Sequence, residues 1–333
     1  MPSEVMTGVI IITVLALAFD FINGFHDTAN AVATSIGTRV LRPSTAITMA
    51  AILNLAGALV SAGVAKTIGS GIVSPTSVST LVIVSTLISA IIWNLITWYF
   101  GIPSSSSHAL IGSLLGAAIV YKGTFAVVSW YSFLMKIILW LILSPILGFI
   151  VGFLVMLLLL WILRAATPRF VTKFFSKAQI ISAASMAFSH GSNDAQKSMG
   201  IITMALVSSG ALTTFDVPNW VRIACAITMA LGTALGGRRI IKTMGLNMAR
   251  LTPVNGFAAE TAAAAIILTA TAMHAPVSTT HVISTSIMGV GATKRLSAVR
   301  WSVAKNIVVA WVMTIPICAV LAGLIIFVLE KIF

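Results

Sequence analysis

Charge is what this chain has least of. Asp, Glu, Lys and Arg together make up 8% of its 333 residues, while 59% are hydrophobic, and mean hydropathy is +1.07. A water-facing domain typically carries about 25% charged residues, because charge is what covers a solvated surface. That shortage excludes a soluble globular domain and makes lipid the solvent for most of the surface. Cysteine is almost absent: Cys225 and Cys318 stand in separate apolar stretches, as small buried residues do, so neither a disulfide framework nor a cysteine metal site follows. No Gly-x-Ser-x-Gly, His-Glu-x-x-His or Walker A pattern occurs, which argues against the corresponding hydrolases and against ATP-driven transport by this chain alone. The apolar stretch from Val5 to Phe19 has no basic segment before it and no small-residue cleavage site after it, so it reads as a retained helix rather than a leader.

The charge that is present is lopsided. The net charge of +13 would suggest nucleic acid in a soluble protein, but here the bases gather in short segments between apolar spans. The clusters are Arg39 and Arg42; Arg164, Arg169, Lys173 and Lys177; Arg238, Arg239, Lys242 and Arg250; and Lys294, Arg295 and Arg300. Such clusters mark cytoplasmic loops. The stretch before the first span has Glu4 and no base, which places the N-terminus outside, the central basic segment inside and the C-terminus outside. The expected location is the plasma membrane, spanned many times.

Spans of about 20 apolar residues are needed to cross a bilayer. Candidates are 46–64, 79–100, 130–163, 221–235, 257–273 and 303–329; the third is too long for one upright crossing and is expected to tilt, kink near Pro145 or overrun the membrane. Scoring broken helices and hairpins as crossings gives about ten to twelve. Four further places are apolar but interrupted by polar clusters: Asn23 to Asn30, Pro103 to His108, His190 to Lys197, and Pro276 to His281.

These four form two pairs. Gly24-Phe25-His26-Asp27 resembles Gly191-Ser192-Asn193-Asp194, and Pro103-Ser104-Ser105-Ser106-Ser107-His108 resembles Pro276-Val277-Ser278-Thr279-Thr280-His281. Between them Ala46-Ile47-Thr48-Met49-Ala50 recurs as Ala226-Ile227-Thr228-Met229-Ala230. Three matches in one order point to a duplication. Each half then supplies one Asp-bearing break and one Ser/Thr-His break. Paired broken helices at corresponding positions of two halves mark a transporter site, since unwound backbone at membrane depth is tolerated only where it is buried or lines a cavity. The expected fold is all-α and polytopic, with two inverted-topology repeats, broken helices and re-entrant helical hairpins: a first repeat over 1–163, a basic linker over 164–177 and a second repeat over 178–333.

Seven acids are available. Glu4, Asp216 and Glu330 sit near segment ends, whereas Asp20, Asp27, Asp194 and Glu260 fall in apolar surroundings, where a carboxylate is costly and points to function; the bland reading is a packing salt bridge. Asn23 and Asn30 flank Asp27 and Asn193 precedes Asp194, so carboxylate and amide oxygens are gathered as hard donors for Na⁺ or H₃O⁺. Ser104 to Ser107 and Ser278 to Thr280 each precede an apolar helical run. Hydroxyls and free N–H groups at a helix N-terminus bind anions, although Ser and Thr also serve there as ordinary caps. His108 and His281 occupy matching places, and a structural hydrogen bond to a carbonyl is the favoured role for them. His26 and His190 adjoin the Asp motifs and could relay protons. Lys197, three residues past Asp194, faces it on a helix and could pair with it or attract an anion; Gln196 could donate there too.

The two Asp motifs, Gly24 to Ala31 and Gly191 to Lys197, resemble the signatures of the inorganic phosphate transporter (PiT) family, and the two Ser/Thr-His elements resemble its re-entrant hairpins. The similarity runs from about Leu17 to Ile315. It implies cation-coupled phosphate symport by an inverted-repeat core that often dimerises. Cations would lie at Asn23, Asp27, Asn30, Asn193 and Asp194. Phosphate would lie at Thr28, Ser104, Ser105, Ser106, Ser107, Gln196, Ser278, Thr279 and Thr280. His26 stands where many sodium-coupled relatives have Asn, so Na⁺ and H⁺ both remain open as the coupling ion. No organic cofactor and no nucleic acid is expected. The alternatives are sulfate transport on the same fold, an anion channel and an intramembrane hydrolase; the last leaves the duplication unexplained.

Overall fold

A computed structural model describes residues 3–74, 78–249 and 251–332; Arg250 of the third basic cluster and the side chain of Glu4 lie outside what is described. Among the described residues the chain is helical, with two isolated β-bridges. In chain order the helices are α1 (Ser3–Gly37), α2 (Pro43–Ala58), α3 (Gly63–Gly71), α4 (Thr80–Phe100), α5 (Ser106–Lys122), α6 (Trp130–Phe133), α7 (Leu139–Ile162), α8 (Pro168–Ser208), α9 (Asn219–Leu235), α10 (Arg238–Lys242), α11 (Pro253–Ala272), α12 (Thr279–Ala292) and α13 (Trp301–Ile332).

Local chemistry sets the ends. Pro43, Pro168 and Pro253 open α2, α8 and α11, where a missing N–H costs nothing. Ser79 accepts from the Val82 amide and Thr167 from the Phe170 amide. Gly101, with φ 68°, closes α4 in the left-handed conformation that favours glycine.

Among the described residues, five helical stretches are long and apolar enough to cross a membrane: Val5–Gly37, Thr80–Phe100, Trp130–Ile162, Pro253–Ala272 and Trp301–Ile332. Two bent pairs raise the number to seven, α2 with α3 (71°) and α9 with Arg238–Leu246 (64°). With the interior helices α5, α8 and α12 the bundle has ten packed units. The candidate span 130–163 is one helical run through α6, a π-helical turn at Leu134–Ile138 and α7, with Pro145 inside it.

Elements of the second half recur in the order of the first. The bend after α2 matches the bend after α9, and the hairpin α4–α5 matches α11–α12. Trp130 Nε1 donates to the Phe125 carbonyl (3.0 Å) as Trp301 Nε1 does to that of Leu296 (2.8 Å). The bridge Val73–Val128 matches Ala249–Val299, and Pro145 in α7 matches Pro316 in α13. The halves interlock: α13 packs on α5 and α7 on α12, while α1 packs on α9 and α8 on α2.

The last two crossings explain the glycines of the Asp motifs. A Cβ on Gly24 would stand 2.4 Å from the Met229 carbonyl oxygen, and one on Gly191 would stand 2.2 Å from that of Asn54. Their counterparts across the crossings, Gly232 and Gly57, are equally tight against Phe21 and Phe188. These glycines let backbones touch, as small residues do between membrane helices.

Three expectations need correction. The Asp motifs do not break their helices: Asn23 to Asn30 lies within the 35-residue α1 and His190 to Lys197 within the 41-residue α8. Their backbone is fully helical because each Gly serves a crossing, and the motifs contain no proline. The candidate span 46–64 ends at Ala58, where the chain turns into α3. The segment 168–177 is not linker but the first turns of α8, opened by Pro168.

The loop after α1, the start of α8 and the segment around α10 meet at one end of the bundle. Thr38 donates to Gln179 (2.8 Å), a Cβ on Gly37 would touch Gly245, and the Arg300 amide donates to the Met248 carbonyl (3.1 Å). The other end gathers the starts of α1 and α4, where Gly8 faces Thr80, and the bridge at Val73. The described members of all four basic clusters fall in segments of the first end, which carry no Asp or Glu. Outward-facing positions are apolar, as Ile142, Ile146, Ile150, Val312, Val320 and Leu324 illustrate.

Candidate functional site

Two helices run through the interior with polar stripes. On α1, Asp20, Asn23, Asp27, Asn30 and Thr34 recur at three- and four-residue steps, so they share one face, and all five are buried. On α8, His190, Asn193, Asp194, Lys197 and Ser198 do the same and are also buried. One apolar cluster around Phe19, Leu110, Leu114 and Ile202 and another around Ile240, Ile283 and Ile287 flank them.

The hairpin tips meet between these stripes. Pro103 to Ser105 is non-helical before α5, and the chain is likewise non-helical from Ala275 to Ser278 before α12. Ser105 accepts from the His108 amide (3.2 Å) and Ser278 from the His281 amide (3.3 Å), so these two act as N-caps. Ser107 Oγ donates to the Val277 carbonyl (3.0 Å), joining one tip to the other.

The remaining tip hydroxyls engage the stripes. Asp27 accepts at Oδ2 from Ser106 Oγ (3.2 Å), and Lys197 Nζ donates to the same Ser106 Oγ (3.0 Å) and to Asp194 Oδ2 (2.7 Å). His26 Nδ1 lies 2.6 Å from Asp27 Oδ1, and its Nε2 faces Thr97 (3.1 Å) and Ser104 (3.4 Å). His190 Nε2 lies 3.5 Å from Asp194 Oδ2, and its Nδ1 is 3.2 Å from Asn54 Oδ1. A continuous buried network thus runs from α4 through α1, the tip of α5 and α8 to α2. Ligand atoms of Asp27, His190 and Asp194 all lie within 4.8 Å of one another. On the second tip, Asn30 Nδ2 donates to Thr280 (2.9 Å) and Thr279 (3.3 Å).

Several buried oxygens have no hydrogen-bond partner: both of Asp20, Oδ1 of Asn23, Oδ1 of Asn193 and Oδ1 of Asp194. Asp20 faces Ser198, Asp194 and Lys197. Leaving such groups unsatisfied costs about 1–3 kcal/mol each, and more for charged groups; hard oxygen donors gathered in this way suit a small cation.

Not every expected residue is brought together. Thr28 donates to the Gly24 and Thr233 carbonyls (2.7 and 3.2 Å), fastening the α1–α9 crossing. Gln196 Oε1 accepts from the Val64 and Ala65 amides (2.7 and 3.2 Å) at the start of α3. Both side chains are engaged by backbone groups rather than by the tip hydroxyls. Glu260 belongs to a separate cluster: Thr34 donates to it in a short contact, Ser182 at 2.5 Å and Gln179 at 3.2 Å. The Trp311 backbone approaches the His108 ring as the favoured reading expects, whereas the His281 side chain makes no hydrogen bond, contrary to it. Their rings pack edge to face at 4.5 Å, and His281 stacks on Trp311 at 3.8 Å. Of the two roles weighed for Lys197, the structure shows the pairing with Asp194. Thr97, Asn54 and Thr233 are partners that pattern reading missed. Each is a polar residue between two non-polar neighbours, which is the one signal that could have found them.

A profile of the phosphate transporter family matches residues 23–171 and again 164–322. A probable low-affinity inorganic phosphate transporter of Bacillus subtilis is 51% identical over 97% of this chain and 98% of its own length. One of the same description from Rhizobium meliloti is 46% identical over 93% of each. Among solved structures, a sodium-dependent phosphate transporter superposes with a TM-score of 0.88 at 25% identity, over 98% of this chain and all of that one. The family is one of transporters and not of enzymes, which removes the hydrolase reading. Matched nearly end to end by profile, sequence and fold, the chain belongs to the phosphate transporter family.

Proposed function

We propose that this protein imports inorganic phosphate together with Na⁺ by alternating access, holding phosphate at the hairpin tips and the cation at the Asp motifs. The observation that carries the reading is Ser106, which bonds at once to Asp27 of one motif and to Lys197, the partner of Asp194 in the other. Phosphate arriving at the tips would compete for Lys197 and the serine hydroxyls. That would free Asp194 and Asp27 to hold a cation, and the cation would offset the charge of the buried anion. Asn23, Asn193 and Asp20 supply the oxygens without partners nearby. The named substrates of the relatives agree with phosphate, and that of the structural neighbour with Na⁺.

The hairpins are the moving parts in this reading. They join tip to tip through Ser107 and Val277, as hairpins entering from opposite faces would, which supports two inverted repeats over 1–163 and 178–333. Parting on either side opens the buried tips to that side. The one-sided basic clusters support a cell-membrane orientation with the basic end cytoplasmic and both termini outside. A homodimer is expected from the family resemblance.

H⁺ is the second reading for the coupling ion, favoured by the contact of each Asp with an imidazole, His26 on Asp27 and His190 on Asp194. The test is uptake by Asp27→Asn and Asp194→Asn, each checked for folding and insertion. The proposal expects both to lose cation-dependent uptake; two well-folded variants that keep uptake and its cation dependence would overturn it.

A further inference from the structure

At the basic end of the bundle, outside the network just described, a cavity of about 450 Å³ opens between the end of α12, the start of α11 and the turn that leads into α13. Lys294, Arg295 and Arg300 line it, together with Asn255 and Ser297. No acid does, and the other segments of that end carry none either. A cation or two near Ala292 would be expected merely to complement the C-terminal dipole of α12, and cytoplasmic segments attract bases in general. Neither reason requires three cations to line one concave site.

The first half provides an internal comparison. The same short 3₁₀ turn occurs at Phe125–Val127 and Leu296–Ala298, each followed by a tryptophan bonded back to its first residue. On that shared scaffold Lys294, Arg295 and Arg300 take the places of Gly123, Thr124 and Ser129. The scaffold therefore does not need the charges in order to fold, and its second copy alone carries them.

We propose that this cavity is a binding site for a phosphate group, distinct from the transported one at the hairpin tips, and that it joins the basic ends of α11, α12 and α13. Its volume accommodates a phosphate with a small organic substituent, and clustered Lys and Arg recognise phosphate through charge-assisted hydrogen bonds. Basic pockets between membrane helices take anionic lipid headgroups in this way. Free phosphate has the same chemistry. Because α12 carries the tip residues Thr279 to His281 at its other end, an occupied cavity would restrain the second hairpin.

The test measures binding of soluble dihexanoyl phosphatidic acid and dihexanoyl phosphatidylcholine to the purified full-length protein, with inorganic phosphate as competitor. Lys294→Gln/Arg295→Gln removes two exposed charges from the cavity, Arg295→Thr restores the residue of the first copy, and Arg169→Gln/Lys173→Gln removes two charges elsewhere on the same end. The proposal expects phosphatidic acid to bind the wild type. Loss of two cations should weaken that binding roughly 25-fold, with Arg295→Thr in between and the remote pair within about twofold of wild type. Competition by inorganic phosphate would identify a free anion as the occupant; its absence would identify the headgroup. The proposal is overturned if phosphatidic acid does not bind, if the choline lipid binds as tightly, or if the remote pair loses as much as the cavity pair.

Discussion

Ser106 is the residue on which both motifs converge, since its hydroxyl donates to Asp27 and accepts from Lys197. Hydrogen bonds to charged groups contribute about 1.5–3 kcal/mol, so Ser106→Ala should lower kcat/KM for uptake roughly ten- to hundredfold. Ser105→Ala removes only a cap and should cost about 1 kcal/mol of stability, read as a lower melting temperature. Equal losses of transport in the two variants would show that the tip acts as a whole rather than through Ser106. Glu260 makes the opposite case. Three donors satisfy it away from Asp27 and Asp194, which favours a packing role for this carboxylate. Glu260→Gln, which keeps the shape but mismatches a donor, should destabilise the fold by about 1–3 kcal/mol while leaving the ion dependence of uptake unchanged. A changed coupling ion in that variant would place Glu260 in the transport path.

At the level of helices, the crossings α1–α9 and α8–α2 are set by pairs of glycines with no room for a methyl group. Gly24→Ala or Gly191→Ala must push a backbone aside, and overpacking of this kind costs about 1–3 kcal/mol. Either variant should melt earlier than wild type, whereas Gly123→Ala, in a left-handed but open turn, should lose less; equal losses would contradict the crossing argument. The hairpin tips were legible in the sequence because Pro103 and Pro276 stop a helix and the hydroxyl runs after them start one. The Asp motifs were misread as breaks. Buried polar residues look like an interruption in a hydropathy profile, yet Asp20, Asn23, Asp27, Asn30 and Thr34 already had the spacing of one helical stripe. The true bends, after Ala58 and after Leu235, carry no proline; only Gly236, with φ 70°, marks one of them. Which hydroxyls cap and which reach the Asp motifs was not legible either, because Ser105 and Ser106 differ only in where the helix begins.

For the molecule as a whole, the two halves exchange their outer helices, α13 lying on the first hairpin and α7 on the second, so neither half is complete alone. Expressed separately, residues 1–163 and 178–333 should each fail to give a stable, monodisperse protein; a folded half would contradict the interlocked core. The proposed orientation rests on the one-sided basic clusters. In a variant lacking Cys225 and Cys318, a cysteine at Lys173 should react with a membrane-impermeant thiol reagent only from the cytoplasmic side, and one at Lys122 only from outside; the reverse pattern would invert the topology. The central claim is cation-coupled phosphate entry, and radiolabelled phosphate uptake into proteoliposomes with Na⁺ and pH gradients imposed separately tests it most directly. The account predicts uphill accumulation driven by the Na⁺ gradient and blocked by excess unlabelled phosphate but not by sulfate. Accumulation driven by the pH gradient alone would transfer the coupling role to H⁺, and folded, inserted protein that moves no phosphate under either gradient would contradict the account.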